Sequence, residues 1–148
     1  MSGGLRYLLD TNVLSETRRK RADPKVTAFL KTADAGSLFI SVLTIGELRK
    51  GISIKGRTDP DAAGQLAAWV DGIEQSFADR IVSIDTAVSC RWGELSADRS
   101  RPVIDTLIAA TALVHGLTLV TRSGSDLHGI DVPIINPWEE RKPERAKK

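Results

Sequence analysis

Short apolar runs that alternate with segments of helical periodicity constrain the fold of this 148-residue chain more than any other feature. Runs such as LFIS and TLVT are apolar at successive positions, which is typical of strands buried on both faces of a parallel sheet. Strands separated by helices predict βαβ units, in which helices cover both faces of the sheet. The sequence therefore predicts an α/β fold. The predicted strands are Leu5–Leu9, Leu38–Val42, Ile81–Ile84 and Leu117–Thr121, with a short fifth strand at Val132–Ile135.

Between these strands, five segments have the features of helices. Proline or aspartate stands at the start of several segments, and glycine follows the end of others, as expected at helix boundaries. The longest segment also has apolar residues at helical spacing. The predicted helices are Pro24–Lys31, Thr44–Lys50 ending near Gly51, Pro60–Phe77, Asp85–Ser96 and Pro102–His115 ending at Gly116.

The composition, with 41% hydrophobic and 27% charged residues, is that of one globular domain. We expect this domain to occupy residues 1–138 and a basic, disordered tail to follow at 139–148. No apolar run approaches the roughly 20 residues that cross a bilayer, and the segment Met1–Asp10 does not resemble a signal peptide. Cys90 is the only cysteine, so no internal disulfide is expected. These features favour the cytoplasm and argue against a membrane partner.

The net charge of +2 is too small by itself to indicate a nucleic-acid-binding protein. One basic run has two interpretations, since it could form a solvated turn or contact RNA phosphates. Each tryptophan could likewise stack on bases or anchor the core. The basic run is Arg18, Arg19, Lys20 and Arg21, and the tryptophans are Trp69, Trp92 and Trp138.

Three acidic residues lie where predicted strands end or the following helices begin. Asp10 follows the first strand directly, Glu47 lies shortly after the second strand, and Asp105 lies in the first turn of a later helix. Each acid also has a purely structural explanation. Asp10 could cap a helix, Glu47 could form an exposed ion pair, and Asp105 is favoured by the helix dipole.

A shared chemical role for the three acids follows from where ligands bind in such folds. Open α/β sheets bind ligands beyond the carboxyl ends of their strands, so these acids are expected to meet there. Carboxylates that approach one another repel unless one is protonated or a cation intervenes. Oxygen ligands without histidine or cysteine favour Mg²⁺, with Mn²⁺ as a possible substitute. Such a metal would activate water for attack on a phosphodiester.

Four strings of the sequence, considered together, resemble a known family: LLDTNVLSE, FISVLTIGELRKGI, VIDTLIAATALVHGLTLVTRS and PIINPWEE. They extend from about Tyr7 to Trp138 and are similar to the PIN-domain nucleases, and more narrowly to the VapC-type toxins of bacterial toxin–antitoxin pairs. The resemblance implies a three-layer αβα PIN fold with a mostly parallel sheet of four to five strands. It also implies a Mg²⁺-dependent ribonuclease that acts as a toxin on RNA, forms a homodimer and is inhibited by a small antitoxin.

The resemblance assigns roles to particular residues. Asp10, Glu47 and Asp105 match the catalytic acids, of which Asp10 and Asp105 are expected to bind the metal. Thr11 and Asn12 match polar residues that orient the first acid by hydrogen bonds.

The sequence departs from the family pattern after the strand TLVT. Relatives usually carry Asn or Asp at the position of Ser123, often with an acid three residues later, where this chain has Asp126. Either Asp126 supplies a fourth catalytic carboxylate, or Ser123 supports the site through its hydroxyl. Ser15 and Glu16 also follow the family pattern, without an assigned role.

Two other interpretations remain open. A PIN-like fold could bind RNA or a protein partner without efficient cleavage, and the presence of Ser123 in place of Asn or Asp is consistent with this. A phosphotransfer receiver domain also clusters acids at strand ends. It would need a lysine near the end of its last strand, where this sequence has Arg122.

Overall fold

The computed structural model describes residues 4–139 and contains a five-stranded sheet in which all neighbouring strands are parallel. Its strands are β1 (Tyr7–Leu9), β2 (Leu38–Ser41), β3 (Ile81–Val82), β4 (Thr118–Val120) and β5 (Ile134–Ile135). The strand order is β3-β2-β1-β4-β5, so the chain builds outward on one side of β1 and then continues on the other side. The predicted parallel sheet is confirmed.

Most helices begin at a side chain that accepts a hydrogen bond from a backbone N–H of the first turn. These capping residues are Asp10, Asp23, Ser41, Asp59 and Asp85. The last helix ends, as predicted, at Gly116, whose φ of 66° lies in the left-handed region that favours glycine. The helices are α1 (Thr11–Arg18), α2 (Pro24–Thr32), α3 (Val42–Gly56), α4 (Pro60–Ser76), α5 (Thr86–Leu95) and α6 (Val103–His115).

The predicted end of helix α3 is wrong. The helix was expected to stop near Gly51 but continues to Gly56. Leu48 lies in the apolar core before this glycine, and Ile52 packs against the same core just after it. This packing outweighs the helical penalty of glycine, which is about 1 kcal/mol.

All five strands are shorter than predicted, and the two edge strands contain only two residues each. Strand β3 ends at Val82, since its partner β2 ends at Ser41 in register with it. Strand β5 begins at Ile134, directly after Pro133, which has no N–H to donate to a ladder. Helix α1 is not among the predicted helices, because it is short and largely polar.

Helices cover both faces of the sheet, and successive strand residues alternate between two apolar cores. Leu9 and Val120 belong to the core that helices α1 to α4 cover. Leu8 and Leu119 belong to the opposite core, which helix α6 covers. This arrangement confirms the predicted three-layer αβα fold. In the described part of the chain, no helix is both long and apolar enough to cross a membrane.

The strand order reverses between β1 and β4, which places a crevice at the carboxyl edge of the sheet. Leu9 pairs with Val120 there, and the Asp10 N–H donates to the Val120 carbonyl at 2.9 Å. The residues that directly follow the two strands, Asp10 and Thr121, therefore meet at this crevice. The predicted tail at 139–148 lies outside the described residues except for Glu139, so the domain boundary stays a prediction.

Candidate active site

Asp10 is a nearly buried carboxylate at this crevice, with 8% of its surface exposed. Its Oδ1 accepts a hydrogen bond from the Thr11 N–H at 2.8 Å, and its Oδ2 accepts one from the Thr121 hydroxyl at 2.7 Å. Burial of a charged carboxylate is unfavourable unless donors or a cation compensate for the lost water. The two donors therefore both stabilise Asp10 and fix its orientation.

Glu47 reaches the same crevice from helix α3. Its Oε1 accepts a hydrogen bond from the Thr11 hydroxyl, which also lies 3.0 Å from the hydroxyl of the buried Thr44. Thr11 thus contacts one acid through its backbone N–H and the other through its side chain. This linkage couples the position of Glu47 to that of Asp10.

Asp105 is half-buried in the first turn of helix α6. Burial is the largest cause that raises its pKa, because the side chain loses water. Nearby negative charges raise this pKa further, and they belong to Asp10, Asp126 and Glu47. The other three predicted catalytic acids are therefore close enough to act electrostatically on Asp105.

An open cleft of about 510 Å³ contains most of the predicted site. It brings together the three acids and the three polar residues that the sequence analysis predicted to support them. The predicted residues that line it are Asp10, Glu47, Asp105, Thr11, Asn12 and Ser123. The same cleft is also lined by Glu16, Arg19, Arg122 and Trp138.

The donor set of the cleft suits a hard divalent cation, since it consists of carboxylate, hydroxyl and amide oxygens. Within residues 4–139, none of the four predicted catalytic acids forms an ion pair with a basic side chain. The acids are not gathered around a single point, however. In the same range, no three His, Cys, Asp or Glu side chains lie where they could hold a metal ion together. The oxygen atoms of the cleft thus suit a metal ion, but the acids do not converge on one point in this structure.

Comparison with known proteins identifies the family, since the family model described as PIN domain matches residues 7–132. The chain belongs to the PIN-domain family. The chain is 31% identical over 144 residues to toxin FitB of Neisseria gonorrhoeae, with 90% of this chain and 99% of FitB covered. It is 30% identical over 146 residues to VapC ribonuclease Y4jK of Sinorhizobium fredii, with 89% and 97% covered.

A solved structure of FitAB bound to an IR36 DNA fragment shares the fold of this PIN domain. The match has a TM-score of 0.85 and 28% identity, and it covers 93% of this chain and 99% of the other. The resemblance and the fold class predicted from the sequence are both confirmed.

The position where the sequence departs from the PIN pattern lies at the edge of the cleft. Ser123 lines the cleft, and its hydroxyl accepts a hydrogen bond from the Asn12 amide at 3.2 Å. Asp126 is exposed in a short 3₁₀ turn (Gly124–Leu127) and does not line this cleft, although its charge acts on Asp105. The two residues therefore affect the site differently. Ser123 contacts Asn12, whereas Asp126 acts on Asp105 through its negative charge.

The basic run of this PIN domain separates into residues with different environments. Arg18 lies over the Trp69 ring, with its guanidinium carbon 5.6 Å from the ring centroid. Arg19 lines the cleft and pairs with Glu16 at 3.3 Å. The last two residues of the run, Lys20 and Arg21, are exposed in the turn after helix α1 and do not line the cleft.

Glu16 is a second buried acid of the cleft, with 4% of its surface exposed. Its Oε2 accepts a hydrogen bond from the Asp23 N–H at 2.8 Å, and this bond is the largest cause that lowers the pKa of Glu16. Burial opposes this shift, while Arg19 and, more weakly, Arg122 favour the charged form. Glu16 thus ties the end of helix α1 to the start of α2.

Sequence reasoning missed two threonines that position the acids. Thr121 and Thr44 are fully buried and contact Asp10 and Thr11, respectively. A polar residue at the end of an otherwise apolar strand was the available signal for Thr121, which ends the run TLVT. No comparable signal marks Thr44 on helix α3.

Proposed function

We propose that this PIN domain is a divalent-metal-dependent ribonuclease and the toxin of a toxin–antitoxin pair. The observation that carries the proposal is the convergence of Asp10, Glu47 and Asp105 in one cleft, where none of the three pairs with a basic side chain among residues 4–139. The relatives support the activity, since one is named a VapC ribonuclease and another a toxin. Mutual repulsion of the acids explains why a cation would bind here.

Asp10 and Asp105 are the proposed metal ligands, with Mg²⁺ as the natural ion and Mn²⁺ as a substitute. Asp10 is nearly buried and Asp105 is half-buried. Both lie at the start of a helix, α1 or α6, which fixes the position of their backbones. A divalent ion bound here would supply a Lewis acid that activates water and stabilises charge on the phosphodiester. It would also relieve the repulsion that raises the pKa of Asp105.

Glu47 is the proposed acceptor for a proton of the attacking water. It is exposed, so it has access to water, and its hydrogen bond from Thr11 fixes its carboxylate at the cleft. The water oxygen forms a bond to phosphorus as the phosphorus–oxygen bond to the leaving group breaks in line. The leaving oxygen is protonated from solvent, so one water molecule is consumed for each strand cut.

The supporting residues act by orientation in this proposal. Thr11 and Asn12 keep Asp10 and the end of strand β4 in register, since Asn12 contacts Thr121 and Ser123 through its amide. Asp126 contributes negative charge at Asp105 rather than a contact to substrate. Such indirect partners commonly affect metal affinity or activity by about 10-fold to 100-fold.

The proposed partners follow from the relatives. A solved FitAB structure contains a FitB-like chain with its partner on DNA, so we propose a small cognate antitoxin for this chain. The homodimer is likewise proposed from the family. Expression of the wild-type chain alone should arrest bacterial growth, whereas co-expression of the proposed antitoxin should restore growth.

Cleavage of single-stranded RNA by the purified chain tests the activity. We expect cleavage with Mg²⁺, none with excess EDTA, and recovery when Mn²⁺ is added. Asp105→Asn should fold and lose activity by roughly a thousandfold or more. Asp131→Asn, at an exposed aspartate outside the cleft, is the matched control and should cleave like the wild type. Wild-type rates from a folded Asp105→Asn protein would refute the proposal.

Two observations favour a second candidate, a PIN-like module that binds RNA or protein with weak catalysis. In residues 4–139 no three His, Cys, Asp or Glu side chains are placed to hold a metal together, and Ser123 stands where Asn or Asp was expected. This candidate predicts that EDTA does not change the affinity for RNA. It also predicts that the chain forms no RNA cleavage product when Mg²⁺ is added.

A further inference from the structure

We infer that Arg122, held against the ring of Trp138, is a substrate-positioning residue that binds a backbone phosphate of the RNA beside the cleft acids. This inference rests on the proposed ribonuclease function. It adds a cationic contact to a site whose other proposed functional residues are acidic or neutral.

The backbone places Arg122 next to the acids. Strand β4 pairs with β1, and Thr121 at its end donates to Asp10, so Arg122 follows the residue that contacts the central carboxylate. The Arg122 N–H lies 3.4 Å from the Asn12 Oδ1, on the other side of the same crevice. Both Arg122 and the acids line one cleft.

The backbone places Trp138 beside Arg122 in the same way. Val120 pairs with Ile135, and the Thr121 N–H donates to the Ile135 carbonyl at 3.0 Å, so the ends of β4 and β5 are adjacent. After β5 the chain turns through Asn136, whose Oδ1 accepts from the Trp138 N–H at 2.9 Å. The ring is half-buried against the apolar core, which makes it a rigid surface.

The contact between the two side chains orients the arginine. The guanidinium carbon of Arg122 lies 4.9 Å from the Trp138 ring centroid, within the range of a cation–π interaction. A guanidinium stacked by its face still presents its N–H groups at its edge, where they match the geometry of phosphate oxygens. The stack therefore restricts the side chain while it leaves the donors available.

Arg122 differs from the other arginines near the cleft or over aromatic rings. Arg18 does not line this cleft, and the others donate to protein groups. Arg19 pairs with Glu16, and Arg80 donates to three backbone carbonyls while it lies over Phe77. The Arg122 guanidinium has no ion pair and no hydrogen bond to another residue between positions 4 and 139. An incoming phosphate could therefore use the donors of Arg122.

The charge of the cleft gives this contact its importance. Asp10, Glu47 and Asp105 repel an RNA strand unless cations offset them, and the whole chain has a net charge of only +2. Phosphate contacts by basic side chains supply affinity that does not depend on base sequence and that falls with salt. Arg122 is placed to supply such a contact next to the reacting phosphodiester.

RNA binding in an inactive background tests the inference. Fluorescence anisotropy should be measured with a labelled single-stranded RNA and the Asp105→Asn chain, from low to moderate salt. Arg122→Gln should weaken binding roughly tenfold for every RNA sequence tried. It should also reduce the slope of log K against log salt by about 0.7, the value for one phosphate contact on a single strand.

Arg6→Gln is the matched control, because it removes the same charge and another arginine–aromatic contact. Arg6 lies over Phe39 at 5.6 Å, just before strand β1 and thus at the opposite edge of the sheet. Its RNA affinity and salt slope should equal those of the parent. Arg122→Lys and Trp138→Leu should keep the salt slope but lose part of the affinity, since the charge remains while its orientation is lost.

The outcomes separate this inference from the proposed function. Wild-type cleavage together with unchanged affinity and salt slope in a folded Arg122→Gln protein would overturn the inference alone. No RNA binding by the Asp105→Asn chain, with no cleavage by the wild type, would overturn both. If Arg122→Gln does not fold, Arg122→Lys provides the test, and full affinity in that variant with an unchanged KM would contradict a positioned guanidinium.

Discussion

The Thr121 hydroxyl donates a hydrogen bond of 2.7 Å to Oδ2 of Asp10, and this bond joins the ends of strands β4 and β1. The two residues are 111 positions apart in the sequence. The same Thr121 oxygen accepts a hydrogen bond from the Ser123 N–H at 3.0 Å. Thr121 therefore links the orientation of the buried acid to the chain segment that contains Ser123 and Arg122.

Thr121→Val should keep the Asp10 carboxylate in the cleft but remove the hydrogen bond that orients it. Valine has nearly the same shape but leaves Oδ2 of Asp10 buried without this donor, which costs about 1–3 kcal/mol of unfolding free energy. We expect cleavage to fall by about 10-fold to 100-fold and the Mg²⁺ concentration for half-maximal rate to rise. Cleavage rates over a Mg²⁺ titration measure both effects.

Thr111→Val is the control for this loss of a buried hydroxyl. Thr111 is fully buried on helix α6, and its hydroxyl donates to the Leu107 carbonyl at 2.8 Å. This variant should alter stability without a change in the Mg²⁺ requirement. An equal shift of the Mg²⁺ requirement in both variants would contradict the specific role of Thr121.

Asp105→Asn should raise the Tm of the metal-free protein at about pH 8. Burial raises the pKa of Asp105, and the charges of its acidic neighbours add to this shift. The native state thus binds this proton more tightly than the unfolded state, so stability falls as pH rises from the ordinary pKa through the raised one. Asparagine cannot ionise, so the variant avoids this loss of stability at high pH. Its Tm should differ little from that of the wild type at about pH 4.

Thermal denaturation with EDTA at the two pH values checks the sign of this effect. Asp131→Asn, at an exposed aspartate, should show little change at either pH. A lower Tm for Asp105→Asn at the higher pH would contradict the raised pKa of Asp105.

Glu16→Gln should have the opposite dependence on pH. The hydrogen bond from the Asp23 N–H lowers the pKa of Glu16, so its charged form stabilises the native state above its ordinary pKa. This stabilisation is lost as pH falls through the lowered pKa. The variant should therefore have a lower Tm than the wild type at neutral pH, and the two melting curves should converge in acid. A Tm difference that persists in acid would indicate a packing defect instead.

Ser123→Ala and Asp126→Asn should distinguish the two residues at the departure from the family pattern. Ser123 contacts Asn12 in the cleft, whereas Asp126 acts on Asp105 through its charge. Asp126→Asn should lower the pKa of Asp105, which a shift in the pH profile of cleavage would reveal. Ser123→Ala should reduce the rate without moving that profile. A shifted profile from Ser123→Ala alone would reverse these assignments.

Much of the fold could be predicted because it follows from local chemistry. Asp23 and Pro24 mark the start of helix α2, and Gly116 marks the end of α6, since each suits one position at a helix boundary. Gly51 was misleading because packing of the next residue, Ile52, against the apolar core keeps the helix intact. Local rules cannot include such tertiary contacts.

Of the candidate site, the sequence could predict only the residues that follow the ends of predicted strands. Asp10 and Glu47 follow strands in the sequence, so a parallel sheet was expected to bring them together. The hydrogen bond from Thr121 and the stack of Arg122 on Trp138 depend on the order and register of β1, β4 and β5. Periodicity does not determine that order, so these contacts required the structure.

Direct measurement of metal binding tests the central claim, that the cleft acids form a divalent-cation site. Isothermal calorimetry of Mg²⁺ or Mn²⁺ with the wild-type chain at about pH 8 should show saturable binding. Asp10→Asn and Asp105→Asn should abolish it, and Asp131→Asn should retain it. Absence of binding to the wild type, or equal binding by Asp10→Asn, would contradict the assignment of this cleft as a metal-dependent active site.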